Sequence, residues 1–299
     1  MHVALVDPSR VVRRSVSEML VAGGHSVVAF EDSAAALAHV SADPTVDCLL
    51  TSLEVHPLNG LELCWSLRAQ ADERRPLTIL VMSASRDTRP LDEVLDSGAD
   101  DFLAKPPSAQ ELYGRLRSAE RVLKLQTALI RQADTDHLTQ LLNRGALMRG
   151  ARTAIDAASA DNPLAVLQID IDHFKSINDR FGHDVGDLVI RCVSGVLRES
   201  AALAGRLGGE EFALLLPGQN LGGAAVLAHR IRSRCAETAV PGQMEDLRFT
   251  VSVGLSEWSE GDDIDTLLKR ADLALYAAKK AGRNRVAATT TALRTEFVA

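Results

Sequence analysis

The stretch Arg206-Leu-Gly-Gly-Glu-Glu-Phe212 decides the fold of the C-terminal half of the chain. It joins two apolar runs, Ala201–Leu207 and Phe212–Leu216. Glycine reaches positive φ without steric cost, so a Gly-Gly pair between two such runs predicts a β-hairpin. Two carboxylates, Glu210 and Glu211, stand at the turn, and the bare backbone lets a large ligand approach. The stretch therefore predicts a site for a nucleotide and a metal ion.

The composition is typical of a globular protein with about two domains. The chain has 299 residues, 46% of them hydrophobic, and a domain takes roughly 150 residues. The net charge of −7 gives no electrostatic footprint for nucleic acid. The sequence shows neither a signal-peptide pattern nor an apolar run of about 18 residues, so we expect no membrane insertion and a cytoplasmic location or recruitment by a partner. Scattered cysteines predict buried reduced thiols, namely Cys48, Cys64, Cys192 and Cys235.

Strand and helix patterns alternate over residues 1–120 and predict a parallel sheet with helices on both faces. In such sheets functional residues collect at the carboxyl ends of the strands. The predicted strands are Val3–Val6, Ser26–Phe30, Cys48–Thr51, Leu77–Met82 and Phe102–Ala104. The predicted helices are Ser9–Ala22, Ser33–Val40, Gly60–Ala69, Arg89–Asp96 and one from Ser108 onward.

A heptad pattern follows over residues 108–134 and predicts a helical stalk that pairs with a second copy. Its positions are Leu112, Leu116, Ala119, Leu123, Gln126, Ile130 and Ala133. A second register, Val122, Leu125 and Leu129, fits nearly as well. The alternative is one amphipathic helix that packs on its own domain.

Residues 135–290 form the second domain and show an α+β pattern with the hairpin at its centre. The predicted strands outside the hairpin are Leu164–Ile169, Leu247–Val253 and Arg285–Ala288. The predicted helices are Asp184–Glu199, Leu221–Thr238 and Ile264–Ala281. The tail after Thr289 is expected to fray.

A polar segment, Asp170-Ile-Asp-His-Phe-Lys-Ser-Ile-Asn-Asp179, directly follows the strand Leu164–Ile169. An acid at a strand end beside an exposed turn can hold Mg²⁺ together with substrate phosphate oxygens. The NH groups of the turn can bind phosphate without a side chain. The next segment, Gly182-His-Asp-Val-Gly-Asp187, opens a helix. Asn and Asp side chains together can match the hydrogen-bonding edge of guanine.

Five segments in this order resemble the diguanylate cyclase, or GGDEF, family over about residues 134–288. They are Asp136–Arg144, Asp170–Asp179, Gly182–Asp187, Gly208–Phe212 and Ala271–Arg285. The resemblance implies a nucleotidyl-cyclase-like fold and the condensation of two GTP into cyclic 3′,5′-di-GMP with release of two pyrophosphates. One domain holds one GTP, so two domains must face each other, and a homodimer is required for catalysis.

The resemblance also implies a role for each matching residue. Asp170 and Glu210 match metal ligands, together with the Ile171 carbonyl, for two Mg²⁺ or Mn²⁺ ions per GTP half-site. Glu211 lies near the metal site in the family and joins Glu210 and Lys175 in the catalytic set. Metals can acidify the attacking 3′-hydroxyl and shield phosphate charge.

The implied substrate-binding residues are Phe174, Lys175, Asn178, His183, Asp187, Lys279 and Arg283. Lys175, Lys279 and Arg283 match groups that neutralise the triphosphate. Asn178 and Asp187 match the guanine readers, and the acceptor character of Asp187 disfavours ATP. Packing is the alternative role for Phe174 and His183.

One departure from the family concerns product inhibition. Many members carry an Arg-x-x-Asp pair before the hairpin that binds the product. Counted back from Gly208, the two positions hold Glu199 and Ala202 here. We therefore expect product feedback through that site to be weak or absent.

The first domain resembles a response-regulator receiver domain of flavodoxin-like topology. Asp7-Pro8 replaces the paired acids after the first strand, and Ser52 stands at the phospho-acceptor position. Ser83 and Lys105 match the hydroxyl switch position and the Lys-Pro turn. A serine forms no acyl phosphate, and one acid binds Mg²⁺ poorly. Residues 1–120 are therefore expected to be a pseudo-receiver, and Glu54 beyond the strand end is a weak substitute.

Two functions of different classes fit this sequence. The first is an active diguanylate cyclase whose non-phosphorylatable receiver domain dimerises the chain or binds a regulatory protein. The alternative is a catalytically silent effector that binds GTP or cyclic di-GMP. The retained acids and glycines favour the enzyme.

Overall fold

The computed structural model describes residues 1–70, 75–84, 97–200, 203–242, 247–289 and 295–297. The chain divides into two compact units, Met1–Arg131 and Gln132–Ala299. The helix expected at Arg89–Asp96 and the position of Ala202 lie outside the described residues. Within the described part of the chain, no helix is both long enough and apolar enough to cross a membrane.

The first unit confirms the predicted flavodoxin-like sheet. Its strands are β1 His2–Val6, β2 Ser26–Phe30, β3 Cys48–Ser52, β4 Thr78–Ala84 and β5 Asp101–Lys105. They are all parallel, in the order β2-β1-β3-β4-β5. The described helices are α1 Arg10–Ala22, α2 Ser33–Ala42, α3 Gly60–Gln70 and α4 Ala109–Asp134. Side chains of Ser9 and Asp32 cap α1 and α2, which fixes where these helices begin.

The long helix α4 continues from the first unit past its boundary at Arg131. Leu112 and Leu116, the start of the heptad pattern, are fully buried in the core of the first unit. The side chains of the second register are exposed: the exposed fraction is 45% for Val122, 60% for Leu125 and 65% for Leu129. The first half of the helix thus packs on its own domain, and the apolar face it leaves open belongs to the second register.

The second unit contains one seven-stranded sheet in the order β12-β11-β10-β7-β9-β8-β6. Its strands are β6 Leu142–Asn143, β7 Leu164–Ile171, β8 Leu203–Gly208, β9 Glu211–Pro217, β10 Val251–Glu257, β11 Val286–Thr289 and β12 Thr295–Phe297. Its helices are α5 Arg144–Asp156, α6 Phe174–Phe181, α7 His183–Arg198, α8 Leu221–Glu237 and α9 Ile264–Lys280.

The predicted hairpin is confirmed as β8 and β9, which pair antiparallel up to Gly208 and Glu211. Gly208 and Gly209 have φ values of 155° and 51°, which L side chains rarely adopt. The strand β7 lies between β9 and β10, so its carboxyl end comes beside the turn. The hairpin is therefore a rigid platform next to the end of a central strand.

Three sequence expectations for this unit need correction. The strand expected over Leu247–Val253 begins only at Val251 and continues to Glu257. The tail contains the short strand β12, which pairs antiparallel with β11. The elements β6, α5 and α6 were not expected. β6 spans two residues and α6 spans eight, and segments this short give little periodic signal in the sequence.

Candidate active site

Asp170 lies near the carboxyl end of β7, directly beside the hairpin. The sheet register pairs Asp170 with Glu211 on β9 and with Ser252 on β10. Its side chain is buried, and Lys279 Nζ of α9 lies 2.7 Å from Asp170 Oδ2. Burial raises the pKa of Asp170; Lys279 opposes that rise, whereas the charges of Glu210 and Glu211 add to it. The site therefore concentrates negative charge that a cation would relieve.

The donor set at this point fits a hard divalent cation. Three carboxylates, those of Asp170, Glu210 and Glu211, lie close enough to interact, against the single ammonium of Lys279. Mg²⁺ and Mn²⁺ prefer oxygen ligands, and Mg²⁺ usually takes one or two carboxylates with the remainder from substrate phosphates. The carbonyl of Ile171 belongs to the last residue of the same strand. A metal held by strand end and hairpin is consistent with these donors.

Helix α6 begins immediately after this strand end. His173 adopts a left-handed conformation with φ 57° and provides no side-chain hydrogen bond to the helix start. The first NH groups of α6, which include that of Lys175, consequently lack a capping side chain. Such groups bind phosphate well. The side chain of Lys175 is exposed and extends from the same turn.

The buried carboxylate of Asp172 stabilises the turn between β7 and α6, a role that the sequence did not reveal. Its carboxylate accepts hydrogen bonds from Thr250 Oγ1 at 2.6 Å, Ser252 Oγ at 2.7 Å and the Asn284 backbone NH at 2.9 Å. The last of these fixes the turn that carries Arg283, whose φ is 60°. The buried acid thus joins the strand end, β10 and the turn after α9 into one support.

Asn178 and Asp187 come from two successive helices, α6 and α7. The Oδ1 atom of Asn178 is buried and has no hydrogen-bond partner within the described part of the chain. A Cβ atom at Gly186 would lie only 1.9 Å from that oxygen and 3.2 Å from Phe174 Cζ. Gly186 therefore creates the space for the amide, beside an exposed Asp187. An unsatisfied buried amide oxygen is suited to a ligand that donates a hydrogen bond.

The remaining predicted residues lie at the rim of this region. His183 is exposed as the first residue of α7, after Gly182 with φ 87°. Phe174 is partly buried against the core of the unit. The structure thus gathers Asp170, Glu210, Glu211 and Lys279 at the strand end and places Asn178 beside Gly186 on the adjacent helix pair.

Arg206 holds the hairpin turn to the start of the second unit. Its guanidinium donates from Nε at 2.9 Å and Nη2 at 2.7 Å to the carbonyl of Gly209. Nη1 lies 3.2 Å from Asp136 Oδ1, and Asp136 also accepts hydrogen bonds from Thr139. Burial alone would raise the pKa of Asp136, but the hydrogen bonds from Thr139 and the charge of Arg206 lower it below its usual value.

In Asp136→Asn, the free energy of unfolding is expected to depend less steeply on pH in the acid range. A carboxyl whose pKa is lowered by folding adds stability above its ordinary value of 3.8, and loses it as the pH falls through the lower folded value. Urea unfolding at several pH values from roughly 2 to 5 would show a shallower pH dependence in the variant. The control is Asp156→Asn, an exposed acid of α5; equal slopes in the two variants would contradict the prediction.

The predicted receiver site is a closed ion pair. Asp7 and Ser52 are fully buried, and Lys105 Nζ lies 2.5 Å from both Asp7 Oδ2 and Ser52 Oγ. Asp7 also accepts a hydrogen bond from the Ser9 NH at 2.8 Å. Ser83 lies near the end of β4, and Glu54 is exposed beyond β3. The lysine ammonium occupies the space between the serine and the single acid.

Two family descriptions match the chain. "Diguanylate cyclase, GGDEF domain" matches residues 133–285, just over half of the chain, and "Response regulator receiver domain" matches residues 3–117. The Response regulator PleD of Caulobacter vibrioides is 34% identical over 263 residues, which cover 83% of this chain and 58% of the relative. A Diguanylate cyclase of Vibrio cholerae is 42% identical over 170 residues, which cover 55% of this chain and 52% of the relative. The chain thus spans between half and two thirds of the length of these relatives.

Solved structures show the same relationship. The coiled coil and GGDEF domain of DgcB from Caulobacter crescentus, in complex with c-di-GMP, aligns with a TM-score of 0.55 at 34% identity, over 60% of this chain and 97% of that one. The diguanylate cyclase SiaD from Pseudomonas aeruginosa, in complex with its activator SiaC, gives a TM-score of 0.53 at 33% identity, over 60% of this chain and 69% of that one. On this evidence the chain belongs to the GGDEF family and carries a response regulator receiver domain at its N-terminal side.

Proposed function

We propose that the chain is a diguanylate cyclase that condenses two GTP into cyclic 3′,5′-di-GMP and two pyrophosphates. The observation that carries this proposal is the position of Asp170, buried at a strand end beside Glu210 and Glu211 of the hairpin. The uncapped start of α6 and the unsatisfied Asn178 amide lie on the segment that follows. Metal, phosphate and base would thus each meet suitable groups.

The residues divide the work of binding as follows. Asp170, Glu210 and the Ile171 carbonyl would hold the two Mg²⁺ or Mn²⁺ ions of each half-site, with Glu211 alongside. Bound metal would shield the triphosphate charge and acidify the attacking 3′-hydroxyl. Among other groups, the uncapped NH groups at the start of α6 would orient the phosphates.

Cationic side chains complete the phosphate site. Lys279 Nζ lies 2.7 Å from Asp170 Oδ2 and would neutralise charge on the triphosphate at this strand end. Lys175 lies three residues after Asp172, at the start of α6. Arg283 directly precedes Asn284, whose backbone NH donates a hydrogen bond to Asp172. Neutralising charge on the transferring phosphate is the main task of protein groups in phosphoryl transfer.

Guanine would be selected by Asn178 and Asp187. The carboxylate of Asp187 accepts hydrogen bonds from the ring NH and exocyclic amine of guanine, whereas adenine offers no such pair. The free Oδ1 of Asn178 would accept one further hydrogen bond. GTP is therefore the proposed substrate, with His183 and Phe174 at the rim.

Catalysis would require a homodimer. Each copy binds one GTP, and each 3′-hydroxyl must attack the α-phosphate of the other nucleotide. The exposed apolar register Val122, Leu125 and Leu129 supports pairing through α4. Specific activity should then rise with protein concentration in step with the dimer mass measured in solution.

Incubation of the pure protein with GTP and Mg²⁺, followed by chromatography and mass spectrometry, tests the proposed function. Cyclic di-GMP should form with wild type, fail to form with Glu210→Gln, and form normally with Glu260→Gln, an exposed acid outside the site. GTP binding without any product would instead support the silent effector.

The receiver domain should not respond to phosphodonors. Ser52 is buried and bound to Lys105, so the phospho-acceptor position offers no carboxylate nucleophile. Asp7 alone does not provide the several acids that Mg²⁺ needs. Acetyl phosphate should leave cyclase activity unchanged, and intact-mass measurement should show no added phosphate. A Ser52-dependent rate change would contradict this. We expect regulation to come instead from a protein that binds this domain. The complex of SiaD with its activator SiaC is a precedent for a diguanylate cyclase that binds a protein activator.

Product feedback is expected to be weak. Glu199, at the position where many relatives carry arginine, forms an ion pair with Arg234 instead. A carboxylate there repels the product's phosphates. Initial rates measured with added micromolar cyclic di-GMP should show no non-competitive inhibition, and such inhibition would overturn the expectation.

A further inference from the structure

Three metal-ligating side chains meet at one end of the first unit, and none of them takes part in the functions above. His2 begins β1, His39 lies in the last turn of α2, and Asp43 follows that helix. One ligand atom of each lies within 4.8 Å of the others. β1 begins at His2 and ends at Val6, one residue before Asp7. At about 3.3 Å per residue, roughly 16 Å of strand separates the cluster from the Asp7–Lys105 pair.

The ligand atom of His39 is available, whereas Nδ1 of His2 lies 3.0 Å from Thr45 Oγ1. His39 Nε2 is shielded from solvent and has no hydrogen-bond partner in the described part of the chain. It lies 4.0 Å from Asp43 Oδ2. The other oxygen, Oδ1, accepts hydrogen bonds from the Thr45 NH at 2.8 Å and hydroxyl at 2.7 Å. A buried nitrogen without a partner costs free energy that a ligand would recover.

The ring of His39 and the backbone of His2 are also held in place. The ring of His39 packs on Phe30 with centroids 5.1 Å apart. The backbone NH of His2 donates to Asp47 Oδ2 at 2.7 Å, and its carbonyl accepts from the Asp47 NH at 2.9 Å. Asp43 follows α2 directly, and its backbone NH donates to the His39 carbonyl at 2.9 Å, which keeps the two residues adjacent.

The charge at the cluster suits a cation. Asp43 supplies a carboxylate, and His2 and His39 supply imidazole nitrogens. Carboxylates carry negative charge at neutral pH, and imidazole binds metal ions through a neutral ring nitrogen. Two neutral nitrogens with one carboxylate form a common donor set for zinc-like ions.

We propose that His2, His39 and Asp43 bind one divalent transition-metal ion of the zinc class, with water completing the coordination. Imidazole ligands suit Zn²⁺, Ni²⁺ and Cu²⁺, whereas Mg²⁺ prefers oxygen. Ligand atoms about 2.0–2.1 Å from a tetrahedral metal lie about 3.3 Å apart. The side chains must therefore approach by up to about 1.5 Å, which rotation of the half-buried His2 and Asp43 side chains allows.

Binding would tie the start of β1 to the end of α2. Any ligand that binds only the folded state raises its stability in proportion to the logarithm of ligand concentration. Added Zn²⁺ should therefore raise the unfolding temperature of the first unit. This effect does not depend on cyclase activity.

Zinc titration of the whole 299-residue chain tests the proposal. Chelator-treated protein in excess Mg²⁺, which occupies oxygen-rich sites, is titrated with ZnCl₂ against a zinc indicator dye. Wild type and the control His229→Ala, a histidine of α8, should each bind one more Zn²⁺ than His39→Ala. Asp43→Asn, whose amide oxygen can still accept from Thr45, should weaken that site by at least about tenfold, since even outer-shell losses reach this size.

Equal zinc stoichiometry and affinity in all four proteins would overturn the proposal. Because His39→Ala also removes packing on Phe30, NMR of wild type provides a second measurement. The imidazole resonances of His2 and His39 should shift with one equivalent of Zn²⁺ while those of His229 stay in place. Absence of that shift would likewise refute the site.

Discussion

Replacement of Asp170 by asparagine is expected to reduce cyclic di-GMP formation by about 10²–10³-fold, the usual cost of losing one group that stabilises transition-state charge. The substitution keeps the shape of the side chain but removes the buried negative charge beside Glu210 and Glu211. The metal would lose its most enclosed ligand, and Lys279 would lose its partner at 2.7 Å. Product formation under saturating GTP and Mg²⁺ measures the effect.

The same substitution should leave stability equal or higher. Folding raises the pKa of Asp170, mainly by burial, so the folded protein binds this proton more tightly than the unfolded chain does. For such an acid, the free energy of unfolding falls as the pH rises above the pKa of the group in the unfolded chain. The ionised carboxylate therefore destabilises the folded protein at neutral pH. Asparagine removes this destabilising charge. Lys279 is a third exposed and can be solvated when its partner is lost.

Asp161→Asn is the matched control, because Asp161 is exposed and precedes the opposite end of the same strand. It should retain full activity and an unchanged unfolding temperature. If Asp170→Asn remained active, the metal assignment would be wrong. If it lost activity together with most of its stability, Asp170 would be a structural residue instead.

The part of this site that the sequence predicts is local in the chain. A Gly-Gly pair needs positive φ, and the structure has it at Gly208 and Gly209. The apolar run Leu164–Ile169 predicts a strand, and the observed strand extends two residues further, to Ile171, with Asp170 paired to the hairpin. In each case the physical cause lies within a few neighbouring residues.

The supports of the site depend on distant residues and could not be read from spacing. Asp172 is bound by Ser252 and Asn284, which are 80 and 112 residues away. Arg206 reaches Asp136 across 70 residues. Hydrogen bonds between such positions leave no periodic pattern, so these two residues are identified only when the sheet brings their partners together.

Helix α4 shows a different limit of prediction from the sequence. Both heptad registers of α4 fit the sequence, because each offers apolar residues at the same intervals. The fold decides between them, since the core of the first unit takes Leu112 and Leu116. The large apolar side chains of the second register, Val122, Leu125 and Leu129, are left exposed. Periodicity identifies an apolar face but does not say what covers it.

Gly186→Ala is expected to raise the KM for GTP by roughly 5- to 150-fold, equivalent to about 1–3 kcal/mol for one lost base-reading contact. The added Cβ would lie 1.9 Å from Asn178 Oδ1. That oxygen is the end of a side chain that can rotate, so the amide should turn away while the helix stays intact. Guanine would lose one of its two readers, and kcat at saturating GTP should change little.

A second glycine of the same helix provides a matched control. Gly195 lies on the same helix α7, and a Cβ there would meet no atom within 4 Å. Gly195→Ala should therefore leave KM unchanged and stabilise the helix by up to about 1 kcal/mol, the difference in helix propensity. In an Asn178→Ala background, Gly186→Ala should add little further effect, because both changes remove the same contact. A full additive loss of GTP affinity in the double variant would show that Gly186 acts on the substrate directly, and that Asn178 is not the residue it makes room for.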